Sequence, residues 1–215
     1  RTHIWAVRCL EAKRSKDALF GVVQGSIYRD LREESARFIG SLPFDGFGIG
    51  GVLLYATEEN PDPRTKMYEI LDWTIPILPE GKPRHLLGIG DVESIFNCVE
   101  KGVDTFDCVE PTRAARRGLL LIRPESGGNE DNKFRLNIGE SIYRVDENPI
   151  DPFCQCETCQ HYTRAYLHHL YRNGELSFYH LAVLHNLYFM YHLMREIRES
   201  TVEGTFLRLK QKWLD

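Results

Sequence analysis

Leu19-Phe20-Gly21-Val22-Val23-Gln24-Gly25 is a short apolar run closed by an amide and a glycine, and Phe44-Asp45-Gly46-Phe47-Gly48-Ile49-Gly50-Gly51 repeats the pattern with a glycine pair. Each run has the length of a buried strand. Between them, Ile27, Leu31, Phe38 and Ile39 recur at helical spacing, which predicts a helix over 27–39. Strand, helix and strand thus follow one another directly. Outward from this unit the alternation continues. Met67, Ile70, Leu71 and Ile75 share one face of a predicted helix over Pro63–Ile77, and His85–Ile89 reads as a third strand. Asp91 suits the N-cap of a helix running to about Lys101, and Val103–Phe106 is a short fourth strand. The rhythm predicts an α/β fold with a parallel sheet. Periodicity does not separate an open doubly wound sheet from a barrel.

The rhythm stops after residue 118. Pro124–Asn132 is polar and rich in turn formers. Phe134–Ile138 and Ile142–Val145 predict a small hairpin. From Cys154 the pattern is helical, with helices expected over His161–Tyr171, Ser177–Glu199 and Thr205–Trp213.

Composition sets wider bounds. The chain has 215 residues, 42% apolar and 27% charged, enough for a packed core. A formal net charge of −4 gives no global positive field, so a nucleic-acid partner would require a local basic surface. No apolar run of about 18 residues is present, and no membrane span is expected. The opening Arg1-Thr2-His3-Ile4-Trp5-Ala6-Val7-Arg8 is neither a signal nor a transit peptide. It lacks an initiator Met and reads as helix interior, so the chain is expected to begin mid-protein. Cys9, Cys98 and Cys108 read as isolated buried thiols. The crowding of the other cysteines suits a cytosolic protein with one metal site better than a disulfide framework.

Three clusters carry chemistry. Cys154-Gln155-Cys156-Glu157-Thr158-Cys159 puts three thiols within six residues, where they can converge on one tetrahedral zinc. A fourth ligand is required. His161 lies too close to Cys159 for an easy fit, and spacing does not choose among His168, His169, His180, His185 and His192. The bland alternative is a labile disulfide. The second cluster is the set of strand ends, Gln24-Gly25, Gly50-Gly51, Gly88–Gly90 and Asp107, where parallel folds gather ligands. Gln24 offers an amide to the edge of a planar base, glycines admit a flat ligand, and Asp107 offers a nucleophile or base. Taken singly, these are also what loops, tight turns and caps use. Asp104 and Glu110 are the neighbouring carboxylate rivals. The third cluster is Pro111-Thr112-Arg113 with Arg116 and Arg117, suited to phosphate oxygens or to a solvated turn.

In order, Val22–Ser26, Phe44–Gly46, Ile49–Gly51, Leu87–Gly90, Phe106–Val109, Pro111–Arg113, Cys154-x-Cys156-x-x-Cys159, Arg164–His169 and His185-Asn186 resemble the queuine tRNA-ribosyltransferases, or tRNA-guanine transglycosylases. The similarity spans nearly the whole chain apart from the loop near 123–133. It implies the C-terminal half of a (β/α)8 barrel with an inserted zinc subdomain. The implied division is 1–145 for the partial barrel, 146–199 for the helical zinc subdomain and 200–215 for a terminal helix. It implies that Cys154, Cys156, Cys159 and His185 hold a structural zinc. It makes Asp107 the nucleophile, and Gln24, Gly50, Gly51 and Leu87 the base pocket. Arg113 and Arg116 would face the tRNA. The implied reaction replaces guanine at the anticodon wobble position by a 7-deazaguanine, in a cytoplasmic enzyme that is a homodimer when full length.

Two departures stand out. Only four βα units are present, so a second catalytic aspartate would belong to a missing N-terminal half. The family's Leu-Ser-Val-Gly-Glu after the glycine pair is replaced by Val52-Leu53-Leu54-Tyr55-Ala56, which leaves the choice of base open. Two rivals remain: a non-catalytic RNA-binding partner subunit, and a paralogue modifying DNA.

Overall fold

The computed structural model describes residues 1–52 and 62–214. Of the Val52–Ala56 departure, residues 53–56 lie outside the described residues. The chain folds as two compact units, the first made of Arg1–Gly90 and Ser94–Cys108, the second of Asp91–Glu93 and Val109–Asp215.

The first unit is α/β. Helix α1 (Thr2–Ala12) precedes β1 (Phe20–Val23), α2 (Arg29–Gly40), β2 (Gly46–Ile49), α3 (Pro63–Thr74), β3 (Arg84–Leu87), α4 (Val92–Glu100, of which the part from Ser94 belongs to this unit) and β4 (Thr105–Asp107). The four strands form one sheet in the order β1-β2-β3-β4, and each neighbouring pair is parallel. Local chemistry explains the helix starts. Asp62 caps α3 by accepting the Arg64 backbone N–H at 3.0 Å, and a proline occupies the first turn. In α2, Asp30 in the first turn and Arg37 in the last both complement the helix dipole.

The sheet has two unlike faces, because side chains alternate along a strand. Val23, Phe47, Ile49 and Leu86 are fully buried, packed with Ala36, Ile39, Met67, Ile70 and Leu71 from the helices. The opposite face carries Phe20 and Leu87, each 37% exposed, and the alternating glycines Gly46 and Gly48 of β2. A Cβ on Gly46 would lie 2.5 Å from the Phe20 ring, so this strand is flat where its neighbour's aromatic ring lies over it.

Several boundaries differ from expectation. The α-helix from Pro63 stops at Thr74 and continues as a 3-10 turn over Ile75–Ile77. Pro76 has no N–H to give to the preceding turn, which ends regular α-helix pairing there. The third strand ends at Leu87, because Gly88 turns the chain with φ +81°. The fourth is Thr105–Asp107, which makes Asp107 its last residue. Cys98 is buried as expected, but Cys108 is half-buried and Cys9 is exposed. Within α1 only Ala6 is fully turned inward, so Cys9 sits on the solvated side.

The second unit contains α5 (Glu110–Arg116), the antiparallel pair β5 (Leu119–Leu121) and β6 (Arg135–Asn137), then α6 (Glu157–His161), α7 (Arg164–Arg172), α8 (Leu176–Val202) and α9 (Phe206–Leu214). The hairpin expected between 134–138 and 142–145 does not form. Strand β6 pairs with β5 instead, and Ser141–Val145 is a 3-10 turn. The register places Leu120 opposite Leu136, and both are buried, whereas Ile142 and Val145 are 71% and 82% exposed. Pairing β6 with Leu119–Leu121 buries apolar surface that Ile142 and Val145 leave in water.

The single helix expected over His161–Tyr171 is two. Thr163 interrupts it and caps α7, its Oγ1 accepting the Tyr166 N–H at 3.2 Å. Helix α8 buries Phe178, Leu181, Ala182, His185, Asn186, Phe189, Leu193 and Ile197. Spacings of three and four make these one stripe. Among the described residues, no helix is long and apolar enough to cross a membrane.

Candidate metal centre and strand-end site

His185 lies within the apolar stripe of α8 and is fully buried. Its Nε2 is 2.7 Å from the Leu121 carbonyl oxygen, an acceptor only. Nε2 therefore carries a proton, and Nδ1 is the ring atom left to face the cysteines. Nδ1 lies 3.8, 3.4 and 3.3 Å from Sγ of Cys154, Cys156 and Cys159. The four ligand atoms all lie within 4.8 Å of one another and all four residues are buried. A tetrahedral zinc with ordinary Zn–S and Zn–N lengths sets sulfur and nitrogen about 3.6 Å apart. The donor set and its spacing fit such an ion.

The chain builds this cluster from both sides. The Cys159 backbone N–H donates to Cys156 Sγ at 3.4 Å. Thr158 Oγ1 donates to the Leu181 carbonyl at 2.8 Å, fastening the cysteine turn to α8. Buried Asp151 accepts from Ser126 Oγ (2.8 Å), Phe153 N–H (2.9 Å) and Arg123 N–H (3.2 Å), which ties the polar 124–132 loop to the segment entering Cys154. Asn186, next to His185, clamps β5: its Oδ1 accepts Leu121 N–H at 2.9 Å, and its Nδ2 donates to Pro111 and Leu119 carbonyls at 2.9 and 3.0 Å. The backbone N–H and C=O of Leu121 are thus held by two consecutive residues of α8.

Crowding shifts the protons of Cys156, Cys159 and His185. Burial opposes a charge on His185, yet the thiol groups of Cys154 and Cys156 outweigh it and raise its pKa to about 9. Hydrogen bonds with Cys154 and Cys159 pull Cys156 far below the usual thiol range, while hydrogen bonds with Cys154 and Cys156, and burial, push Cys159 far above it. Cys156, Cys159 and His185 thus compete for protons within one buried cluster. A cation resolves that competition by holding thiolates and a neutral ring.

The second site lies where the parallel strands of the first unit end. Gly50 sits between two side chains, since a Cβ there would meet Gln24 Nε2 and Leu87 Cδ1 at 3.1 Å each. Gly51 has φ +66°, and its Cβ would lie 3.3 Å from Gln24 Oε1. Gln24, Gly50, Gly51 and Leu87 are therefore brought together. Leu87 is the register partner of Asp107. The Asp107 side chain is 61% exposed, and its Oδ1 accepts the Gly88 N–H at 3.2 Å and lies 2.9 Å from His85 Nε2. An ionised carboxylate only accepts, so Nε2 donates to it. The other ring nitrogen then accepts from Thr105 Oγ1 at 2.8 Å. A Thr105–His85–Asp107 relay thus fixes the orientation of an exposed carboxylate.

His85 and Thr105 escaped the sequence reading, and Asn186 entered it only within the His185-Asn186 motif, with no role assigned. The period of two along β3 and β4 was the available signal for His85 and Thr105, which share a sheet face with Leu87 and Asp107. Of the rivals, Asp104 turns back to the strand's beginning and accepts the Arg84 N–H at 2.8 Å. Glu110 pairs with Arg135 Nη2 at 2.8 Å. Arg113 and Arg116 are exposed on α5, whose buried side is Pro111, Ala114 and Ala115.

A family model described as queuine tRNA-ribosyltransferase matches residues 1–215. The chain belongs to the queuine tRNA-ribosyltransferase family. It is 54% identical over 214 residues to an Archaeoglobus fulgidus protein provisionally named queuine tRNA-ribosyltransferase. It is 43% identical over 227 residues to the queuine tRNA-ribosyltransferase of a Roseiflexus species, and 44% identical over 216 residues to that of Desulforudis audaxviator. All of this chain is covered in each match, against 51%, 54% and 54% of the relatives. The chain spans about half the length of the curated relatives it matches. Family membership fits the Cys3His cluster and the α/β sheet described above.

Proposed function

We propose that the full-length protein exchanges guanine in tRNA for a 7-deazaguanine, and that residues 1–215 supply its nucleophile, part of its base pocket and its structural zinc site. The observation carrying this reading is Asp107. It is an exposed carboxylate at the last position of a parallel strand, oriented by His85 and Gly88, on the strand beside Leu87.

Asp107 Oδ attacks C1′ of the target guanosine. The C1′–N9 bond breaks, and guanine leaves with the bonding pair. The departing guanine takes up a proton, the incoming 7-deazaguanine gives up its ring N–H proton in exchange, and the freed nitrogen attacks the same carbon and displaces the carboxylate. Two inversions retain configuration, as in a retaining glycosidase. The target base must leave its stack, which is cheapest in an anticodon loop. Gln24, Gly50, Gly51 and Leu87 hold the base, and Arg113 and Arg116 face the phosphates. Cys154, Cys156, Cys159 and His185 hold zinc, whose contribution when bound is to cross-link the cysteine loop to α8. With four protein ligands the ion has no open position, so the chemistry belongs to the strand ends.

We also read the sheet as half of a (β/α)8 barrel. A doubly wound sheet reverses its strand order at a switch point. The order β1-β2-β3-β4 has no reversal, and one sheet face carries exposed Phe20 and Leu87. On this reading 1–145 contribute to the barrel, 146–199 form the zinc subdomain and 200–215 the terminal helix. The full-length enzyme is then a cytoplasmic homodimer. The experiment is base exchange: full-length protein, radiolabelled guanine, and tRNA or DNA of matched sequence. Label entering tRNA alone is expected. Label entering DNA alone, or neither, overturns the proposal.

A further inference from the structure

Arg32 belongs to the first turn of α2, yet its side chain is fully buried. A guanidinium out of water is costly unless its donors are satisfied. Here they converge on the backbone of two strand ends. Nε donates to the Ser26 carbonyl at 2.7 Å, Nη1 to Gly50 at 2.9 Å and Val23 at 3.3 Å, and Nη2 to Gly51 at 3.1 Å. These carbonyls flank Gln24 on both sides and include both members of the glycine pair. One helical turn onward, Ser35 Oγ accepts the Gln24 N–H at 3.1 Å. The Gln24 amide rests against the two glycines.

We propose that Arg32 is the positioning residue of the base pocket, its rigid fork fixing the β1 and β2 strand ends so that Gln24 and the Gly50-Gly51 backbone present a planar set of hydrogen-bonding groups to a purine-like base. Two physical points carry this. The fork is planar and its donor directions are fixed, so four carbonyls bound to one guanidinium cannot shift independently. In a trans peptide the C=O and the following N–H point in opposite directions. Turning the Gly50 and Gly51 carbonyls toward Arg32 therefore turns the Gly51 and Val52 N–H groups away from it, as adjacent donors suited to a carbonyl oxygen on the base. The buried charge polarises those same peptides and strengthens their N–H groups as donors. Arg32 itself touches no substrate, and its effect should fall on base recognition rather than on the attack by Asp107. The inference rests on the reading of Gln24, Gly50 and Gly51 as the base pocket.

The test uses the full-length protein with Arg32→Lys and Arg32→Gln. Guanine binding is measured by calorimetry, and KM for guanine, KM for tRNA and kcat by exchange. The melting temperature is recorded in parallel. Both variants are expected to fold, to weaken guanine binding and raise its KM about tenfold or more, and to leave KM for tRNA within about twofold. A merely structural role would move both KM values and kcat together with the melting temperature. Unchanged guanine affinity in both variants overturns the assignment. So does unfolding of both, since Arg32 is then a requirement of the fold and not of the pocket. Wild-type protein that binds no guanine overturns the pocket reading itself, a result distinct from failure of the Arg32 variants alone.

Discussion

His85 Nε2 and Asp107 Oδ1 lie 2.9 Å apart on neighbouring parallel strands, and the His85 ring is held from its other side by Thr105. The carboxylate is exposed, and besides this contact it accepts the Gly88 N–H at 3.2 Å. A hydrogen bond to a charged group contributes about 1.5–3 kcal/mol, and its loss should lower kcat by about 10- to 100-fold. His85→Phe keeps the ring and removes both nitrogens, while His85→Gln restores one donor. Exchange kinetics on the full-length enzyme should show the first impaired and the second partly recovered, with tRNA binding unchanged. Wild-type kcat in His85→Phe would remove His85 from the mechanism.

Asp107→Asn preserves size and the contact to Gly88 N–H but removes the attacking charge. It is expected to abolish both base exchange and the denaturation-resistant tRNA adduct, with the tRNA Kd within about twofold of wild type. A gel that still shows the covalent adduct would refute the nucleophile assignment and point to another attacking group, whereas wild-type protein that forms no adduct and exchanges no base would favour a partner subunit without chemistry of its own.

Zinc removal should loosen the second unit locally. One zinc per chain is expected by elemental analysis. A chelator should raise amide exchange first between residues 150 and 190, because metal-binding free energy is folding free energy there. The pH direction follows from the ligands. His185 and the cysteines must give up protons to bind zinc, and without the ion His185 holds its proton up to about pH 9. Zinc affinity should therefore fall as pH is lowered. Zinc that survives mild acid as firmly as neutral buffer, or a disulfide among Cys154, Cys156 and Cys159, would count against the site.

Asn186→Leu fits the apolar stripe by size, yet it strands the Leu121 N–H and the Pro111 and Leu119 carbonyls in the interior. Leaving such groups unsatisfied should cost about 2–4 kcal/mol in denaturant unfolding, and zinc retention should drop as His185 loses its neighbour's grip on β5. Asn186→Asp keeps the acceptor but sets a buried carboxylate against the Pro111 and Leu119 carbonyls, and a loss at least as large is expected. Stability equal to wild type in Asn186→Leu would show the clamp to be dispensable.

Local pattern was sufficient for the βα alternation, because buried strands and amphipathic helices carry their periods in a few residues. Phe20–Val23, Gly46–Ile49 and the long α8 are legible for that reason, and the cysteine cluster is legible because its ligands are close in sequence. Pairing was not legible. Ile142–Val145 lies close enough in sequence to pair with Phe134–Ile138 as a hairpin, and only the three-dimensional core shows that Leu120, not Val145, offers Leu136 a buried partner. Spacing left five histidines open as the fourth ligand. The resemblance implied His185, and the fold set it apart by aiming Nδ1 at three sulfurs while Leu121, 64 residues away, takes Nε2. The hydrogen-bond partners of Arg32, His85 and Asn186 are likewise visible only in the tertiary structure. Each acts through hydrogen bonds to groups distant in sequence, and such bonds leave no period in the chain that makes them.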